Sequence, residues 1–177
     1  MEDYNAQHTK ALHLVLFREA VEHVCRIVRI LRQPQGNALL LGVGGSGRRS
    51  LTLLSAHICE YSVFQIEMRR GYGVTEWRED VQKVLLSTGI DDDQCAFLLS
   101  DSQIIDESFL EDVNGILNSG EVPNIFDPSE MDLIYQSMTS LLREEGKEIT
   151  GKVGLYARFL QRVRENVHVV LMMSPSG

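Results

Sequence analysis

No run of about 18 apolar residues occurs in this sequence, so no segment has the length and character of a membrane-crossing helix. The amino terminus, Met1-Glu2-Asp3, lacks the basic-then-apolar pattern of a secretory signal. Positive charge is also scarce: 17 Lys and Arg stand against 25 Asp and Glu, a formal net charge of −8. Such a chain has no bulk attraction for nucleic acid or an anionic lipid surface, and any phosphate it binds must be held by a local site. The three cysteines, Cys25, Cys59 and Cys95, are widely separated and sit in apolar stretches. No C-x-x-C and no H-E-x-x-H is present, so zinc and thioredoxin-like chemistry lack support. Three buried free thiols in a reducing compartment are the expectation. His8, His13, His23, His57 and His168 show no ligand spacing and read as surface or core residues.

What is present is ordinary for a globular protein: 177 residues, 44% hydrophobic and 24% charged, enough for one domain with a real core. From Lys10 to Arg32 the apolar positions Leu12, Leu16, Ala20, Val21, Val24, Val28 and Leu31 recur every three or four residues, the stripe of an amphipathic helix that Pro34 and Gly36 end. The short apolar run Ala38–Leu41 reads as a strand buried on both faces, and Val63–Ile66, Cys95–Leu99 and Val167–Met173 read as three further strands. Between them lie helical patterns. One carries Leu51, Leu54 and Ile58; a second starts at a cap on Thr75 and stops before Gly89. A third carries Phe109, Val113 and Ile116 and closes at Gly120; a fourth spans about Ser129–Arg143; a fifth carries Leu155, Phe159 and Val163. Strands alternating with helices predict one α/β domain over 1–177 with a mainly parallel sheet. The sequence stops four residues after an apolar strand, which is the pattern of a segment excised from a longer polypeptide.

The main chemical signal is Gly42-Val43-Gly44-Gly45-Ser46-Gly47-Arg48-Arg49-Ser50, placed between a predicted strand and a predicted helix. Strand, glycine turn and helix form the context of a P-loop: backbone N–H groups converge on phosphate oxygens, and the helix N-terminus adds its positive dipole end. A dinucleotide-binding turn is the competing functional reading. The G-x-x-x-x-G spacing followed by a basic residue favours a nucleoside triphosphate site. Two positions depart from G-x-x-x-x-G-K-[ST]. Arg48 replaces the lysine that reaches the outer phosphates, keeping the charge on a bulkier planar group. Arg49 replaces the hydroxyl residue that meets Mg²⁺ and has no oxygen to offer. Ser50, one residue on, is turned about 100° round the helix and cannot simply take over.

The third apolar run ends Phe97-Leu98-Leu99-Ser100-Asp101-Ser102. A hydrophobic strand ending in an Asp that holds Mg²⁺ is the Walker B pattern, and Asp101 fits it. In AAA+ ATPases a Glu follows and polarises the attacking water; here Ser102 stands there and cannot act as that base. The fourth run leads to Ser174, where AAA+ proteins carry a polar sensor near the outer phosphate, usually Asn. Three weakened positions in one site predict that nucleotide is bound and hydrolysed slowly or not at all.

Val24-Cys25-Arg26-Ile27, the P-loop itself, Tyr72-Gly73-Val74-Thr75-Glu76-Trp77-Arg78-Glu79-Asp80, Asn118-Ser119-Gly120-Glu121-Val122-Pro123-Asn124, Val167-His168-Val169-Val170-Leu171 and Met173-Ser174-Pro175 together resemble an axonemal dynein heavy chain. The part resembled is the large α/β subdomain of the fourth AAA+ module of the motor ring, over nearly the whole chain. The resemblance implies a P-loop NTPase of AAA+ type: a three-layer sandwich of strand order 5-1-4-3-2, truncated here after the fourth core strand, without the small helical subdomain. It implies ATP or ADP as ligand, held by Gly42, Gly44, Gly45, Ser46, Gly47, Arg48, Arg49, Ser50 and Ser174, with Asp101 for a weakened Mg²⁺. The partners implied are neighbouring AAA+ modules of the same heavy chain, and microtubules only through the rest of a minus-end-directed motor in the axoneme of a cilium or flagellum. No nucleic acid or membrane partner is expected. Arg162 and Arg164 precede the sensor strand and are expected to make inter-module or surface contacts. Two other functions remain open. One is an active P-loop ATPase or phosphotransferase in which Asp106 or Glu107 replaces the missing glutamate; the other is an empty structural module.

Overall fold

The computed structural model describes residues 18–41, 45–67 and 69–173. Its elements run from a helix over residues 18–31 (α1) to strand β1 (Ala38–Leu41), helix α2 (Gly45–Ile58), strand β2 (Ser62–Gln65) and helix α3 (Val74–Gly89). Strand β3 (Cys95–Ser100) passes into a 3-10 turn, Asp101–Gln103, and is followed by helices α4 (Glu107–Ser119), α5 (Pro128–Glu144) and α6 (Lys152–Asn166) and by strand β4 (Val167–Met173). The four strands form one parallel sheet in the order β1-β4-β3-β2. That order matches the one the resemblance implies for its first four strands.

Both faces of the sheet are covered, as apolar parallel strands require. Alternation along the strands divides the core in two. Ala96, Leu98, Val170 and Met172 face Ile27 and Leu31 of α1 and Ala56 of α2. Cys95, Phe97, Leu99, Val167 and Val169 face the buried sides of α3, α4, α5 and α6. The result is a three-layer sandwich with two helices on one side and four on the other. Trp77 anchors the larger layer: fully buried, it stacks on Phe109 at 4.5 Å and meets the edge of Phe97 at 5.8 Å. Its indole N–H donates to Asp112 Oδ2 at 2.8 Å, which lets an aromatic with a polar handle sit wholly inside.

Several local expectations are corrected. Helix α3 starts two residues earlier than Thr75 predicts: Gly73 is the N-cap, and Glu76 reaches back to accept its N–H at 2.9 Å. Gly89 is the last residue of that helix rather than the one beyond it. Only Cys95 is buried; Cys59 is half-buried and Cys25 is exposed. The α1 stripe runs through Val24, Ile27 and Leu31 and leaves Val21 at 45% exposure, because the helix meets the sheet along a narrow seam. Gly120 does close α4, in the left-handed region at φ 76°, where an L side chain is strained.

His168, the second residue of β4, lies inside the protein. It faces the Gly36 carbonyl through Nδ1 at 2.9 Å and the Gln94 side chain through Nε2 at 2.8 Å, and it stacks on Tyr61. Gln94 continues to Asn166 at 2.6 Å, and Asn166 donates to the Thr88 carbonyl and to Asp92. This polar string ties the N-terminal ends of β3 and β4, opposite the edge at which Asp101 follows β3.

Candidate nucleotide site

Strand register decides which residues share an edge. Leu41 pairs with Met173, and Ser100 pairs with Met172, so the C-terminal ends of β1, β4 and β3 are level. The C-terminal end of β1, the Asp101 turn that follows β3 and the C-terminal end of β4 therefore lie at one edge of the sheet. Neighbouring strands are about 4.8 Å apart, which sets β1 and β3 about 10 Å apart with β4 between them. In open parallel sheets the crevice outside these carboxyl ends is where ligands bind.

Gly42, Gly44 and Ser174 lie outside the described residues, as do the side chains of Ser46 and Arg48. Gly45, Ser46, Gly47 and Arg48 form the first turn of α2, whose backbone N–H groups have no partner within the helix. That turn holds no acidic side chain, so nothing on α2 competes with an anion for its positive end. Arg49 and Ser50 are exposed on the following positions, whereas Thr52 and Ser55 turn inward. The α2 terminus thus has the chemistry of a phosphate cradle.

Asp101 opens the 3-10 turn and is exposed; its Oδ1 accepts the Ser102 N–H at 2.9 Å. The hydroxyls of Ser102 and Ser100 meet at 3.0 Å. No group of three or more His, Cys, Asp or Glu able to hold a metal exists among the described residues. One carboxylate still fits Mg²⁺, which keeps most of its waters and takes its remaining ligands from phosphate oxygens. Gln103, which sequence reasoning passed over, braces the turn: Oε1 accepts the Ser100 N–H at 2.9 Å and Nε2 donates to the Ile66 carbonyl at 3.1 Å. The Ser-x-x-Gln spacing over 100–103 was the available signal, since it is the pattern of a reciprocal cap.

The candidate replacement bases fare differently. Asp106 is the N-cap of α4, and the hydrogen bonds it accepts from Ser108 hold its carboxyl below the ordinary carboxylate range. A carboxylate so stabilised is a poor proton acceptor. Glu107 is exposed in the first turn of α4. Arg162 is not a surface contact: it is buried, donates to the Ile90 carbonyl at 3.2 Å and lies 3.7 Å from Asp92. Arg164 is half-buried, its Cγ 3.0 Å from where a Cβ on Gly120 would stand.

A family model described as "P-loop containing dynein motor region D4" matches residues 12–177. The chain is 55% identical over all 177 residues to dynein axonemal heavy chain 1 of Mus musculus. It is 48% identical to the dynein-1-beta heavy chain of the flagellar inner arm I1 complex of Chlamydomonas reinhardtii and 45% identical to dynein axonemal heavy chain 6 of Homo sapiens, again along its whole length. It spans 4% of the length of each of these relatives. No described helix is long and apolar enough to cross a membrane.

Proposed function

The chain belongs to the family of P-loop-containing dynein motor regions D4, and from that premise we propose that it is the regulatory, nucleotide-binding fourth AAA+ module of an axonemal dynein heavy chain. In this reading it holds ATP or ADP and hydrolyses it poorly. The first turn of α2 and Arg48 take the phosphates, Ser174 lies beside the outermost one, and Asp101 takes Mg²⁺ through water. Bound Mg²⁺ supplies charge neutralisation at the phosphates. Arg49, which offers no oxygen, keeps that metal weakly held.

The observation that carries the reading is the Asp101-Ser102 pair. The carboxylate follows β3 at the edge where the ends of β1, β4 and β3 are level, and the position that should supply a base instead holds a hydroxyl engaged with Ser100. The engagement of Asp106 as a helix cap argues against an active enzyme with a substitute base. The relatives' names support a place in the axoneme of a cilium or flagellum. Neighbouring AAA+ modules are the direct partners, and microtubules are reached only through the rest of the heavy chain.

The test is phosphate release by the protein and by Ser102→Glu. The wild type should turn over far below the about 1–10³ s⁻¹ of ordinary enzymes. Supplying the base should raise the rate by about 10²-fold or more. A wild-type rate in the ordinary range, unchanged by the substitution, would overturn the reading.

A further inference from the structure

We propose that Gln103 is a positioning residue for the metal site, fixing the direction in which Asp101 presents its carboxylate. The proposal rests on the reading of Asp101 as the Mg²⁺ ligand. Strand β2 ends at Gln65, opposite Leu98, so its ladder with β3 stops two residues short of Ser100. The Ser100 N–H, on the residue immediately before Asp101, is taken instead by Gln103 Oε1 at 2.9 Å. The other half of the same amide donates to the carbonyl of Ile66, the first residue beyond β2, at 3.1 Å. One half-buried side chain therefore continues the ladder where the backbone of β2 leaves it.

Short bonds within the turn fix its own shape. Ile104 N–H reaches the Asp101 carbonyl at 3.2 Å, and the Asp101 carboxylate is tied to Ser102 N–H within the turn itself. The carboxylate is thus oriented relative to the turn, and the turn is oriented relative to the sheet through Gln103. An amide is required, because one end must accept from an N–H and the other must donate to a carbonyl. Methionine keeps the length and loses both bonds. Asparagine keeps the chemistry and is one methylene too short to span both partners.

A fluorescent ADP analogue titrated into the intact protein, with and without Mg²⁺, reads the effect in wild type, Gln103→Met and Gln103→Asn. Groups outside the ligand shell that orient a metal ligand alter metal affinity by about 10–100-fold when removed. The tightening produced by Mg²⁺ should therefore fall about tenfold in both variants, while the Mg²⁺-free dissociation constant stays within about twofold of wild type. Two variants guard against a fold lost in one. If a folded variant keeps the wild-type tightening, or loses Mg²⁺-free binding by the same factor, Gln103 has no positioning role although the nucleotide site stands. If the wild type binds no ADP, or binds it without any tightening by Mg²⁺, the reading of the site itself fails and takes the inference with it.

Discussion

Replacing Gly89 by alanine tests the seam between α3 and α6, on which the larger layer depends. A Cβ built at Gly89 runs into the ring of Phe159, with Cε2 nearest and Cδ2 and Cζ at 2.5 and 2.9 Å. Phe159 has no room to retreat: it is fully buried, edge-on to Phe126 at 5.7 Å and stacked near Tyr156 at 6.0 Å. Overpacking of this kind costs about 1–3 kcal/mol. Against it, alanine restricts the unfolded chain and favours helix by about 0.4–1 kcal/mol. The clash wins, leaving a net loss of about 1–2 kcal/mol. For a domain of this size that lowers the melting temperature by about 2–8 °C. Thermal unfolding followed by circular dichroism reads the shift. The double variant Gly89→Ala with Phe159→Leu should recover part of the loss, since the smaller side chain can yield, and the two changes should be coupled by about 1 kcal/mol. A Gly89→Ala protein at least as stable as wild type, or strictly additive effects in the double variant, would refute the close approach of the two helices.

Alkylation should separate the cysteines. Exposed Cys25 should react with iodoacetamide first and half-buried Cys59 next, while Cys95, whose thiol burial pushes up to about 12, should resist until the protein unfolds; early labelling of Cys95 would contradict its place in β3. Burial holds His168 below its ordinary value of 6.5, so between the two values the unfolded chain binds the extra proton. Its contribution is therefore complete above about 6.5 and is lost as pH falls toward the folded value. Urea midpoints at pH 7.5 and 5.5 should fall more steeply for wild type than for His168→Gln, in which Tyr61, Arg32 and Glu165 still line the same cleft; parallel slopes would count against the buried histidine. Truncating Asp112 to alanine should cost about 1–3 kcal/mol by leaving the Trp77 N–H unpaired in the core, read as a lowered urea midpoint.

Much of this architecture was legible because buried parallel strands announce themselves. Ala38–Leu41 and Val167–Met173 appear with the boundaries their apolar runs predict, and Cys95–Leu99 gains only Ser100. What periodicity could not give was depth. The buried line of α1 depends on where that helix touches Leu98 and Val170, so Val21 and Cys25 looked interior and are not. Arg162 looked like a surface cation because its acceptor, the Ile90 carbonyl, is 72 residues away in the chain. Gly73 outranked Thr75 as a cap because the Glu76 side chain, rather than a hydroxyl, satisfies the open end of α3. Within the site, the glycine turn and Asp101 were visible as motifs. Gln103 was not, since half of its role depends on the Ile66 carbonyl of a neighbouring strand.

Every role given to Arg48, Asp101 and Gln103 requires that the edge formed by the ends of β1, β4 and β3 holds a nucleotide. Isothermal titration of ADP into the folded protein, with Arg48→Ala in parallel, tests it most directly. Micromolar binding is expected in the wild type, with a loss of at least about tenfold in Arg48→Ala, where the charge on the first turn of α2 is gone. A folded wild type that binds no ADP, or an Arg48→Ala protein that binds it equally well, would rule out this nucleotide site and leave a module that serves only as a packing partner.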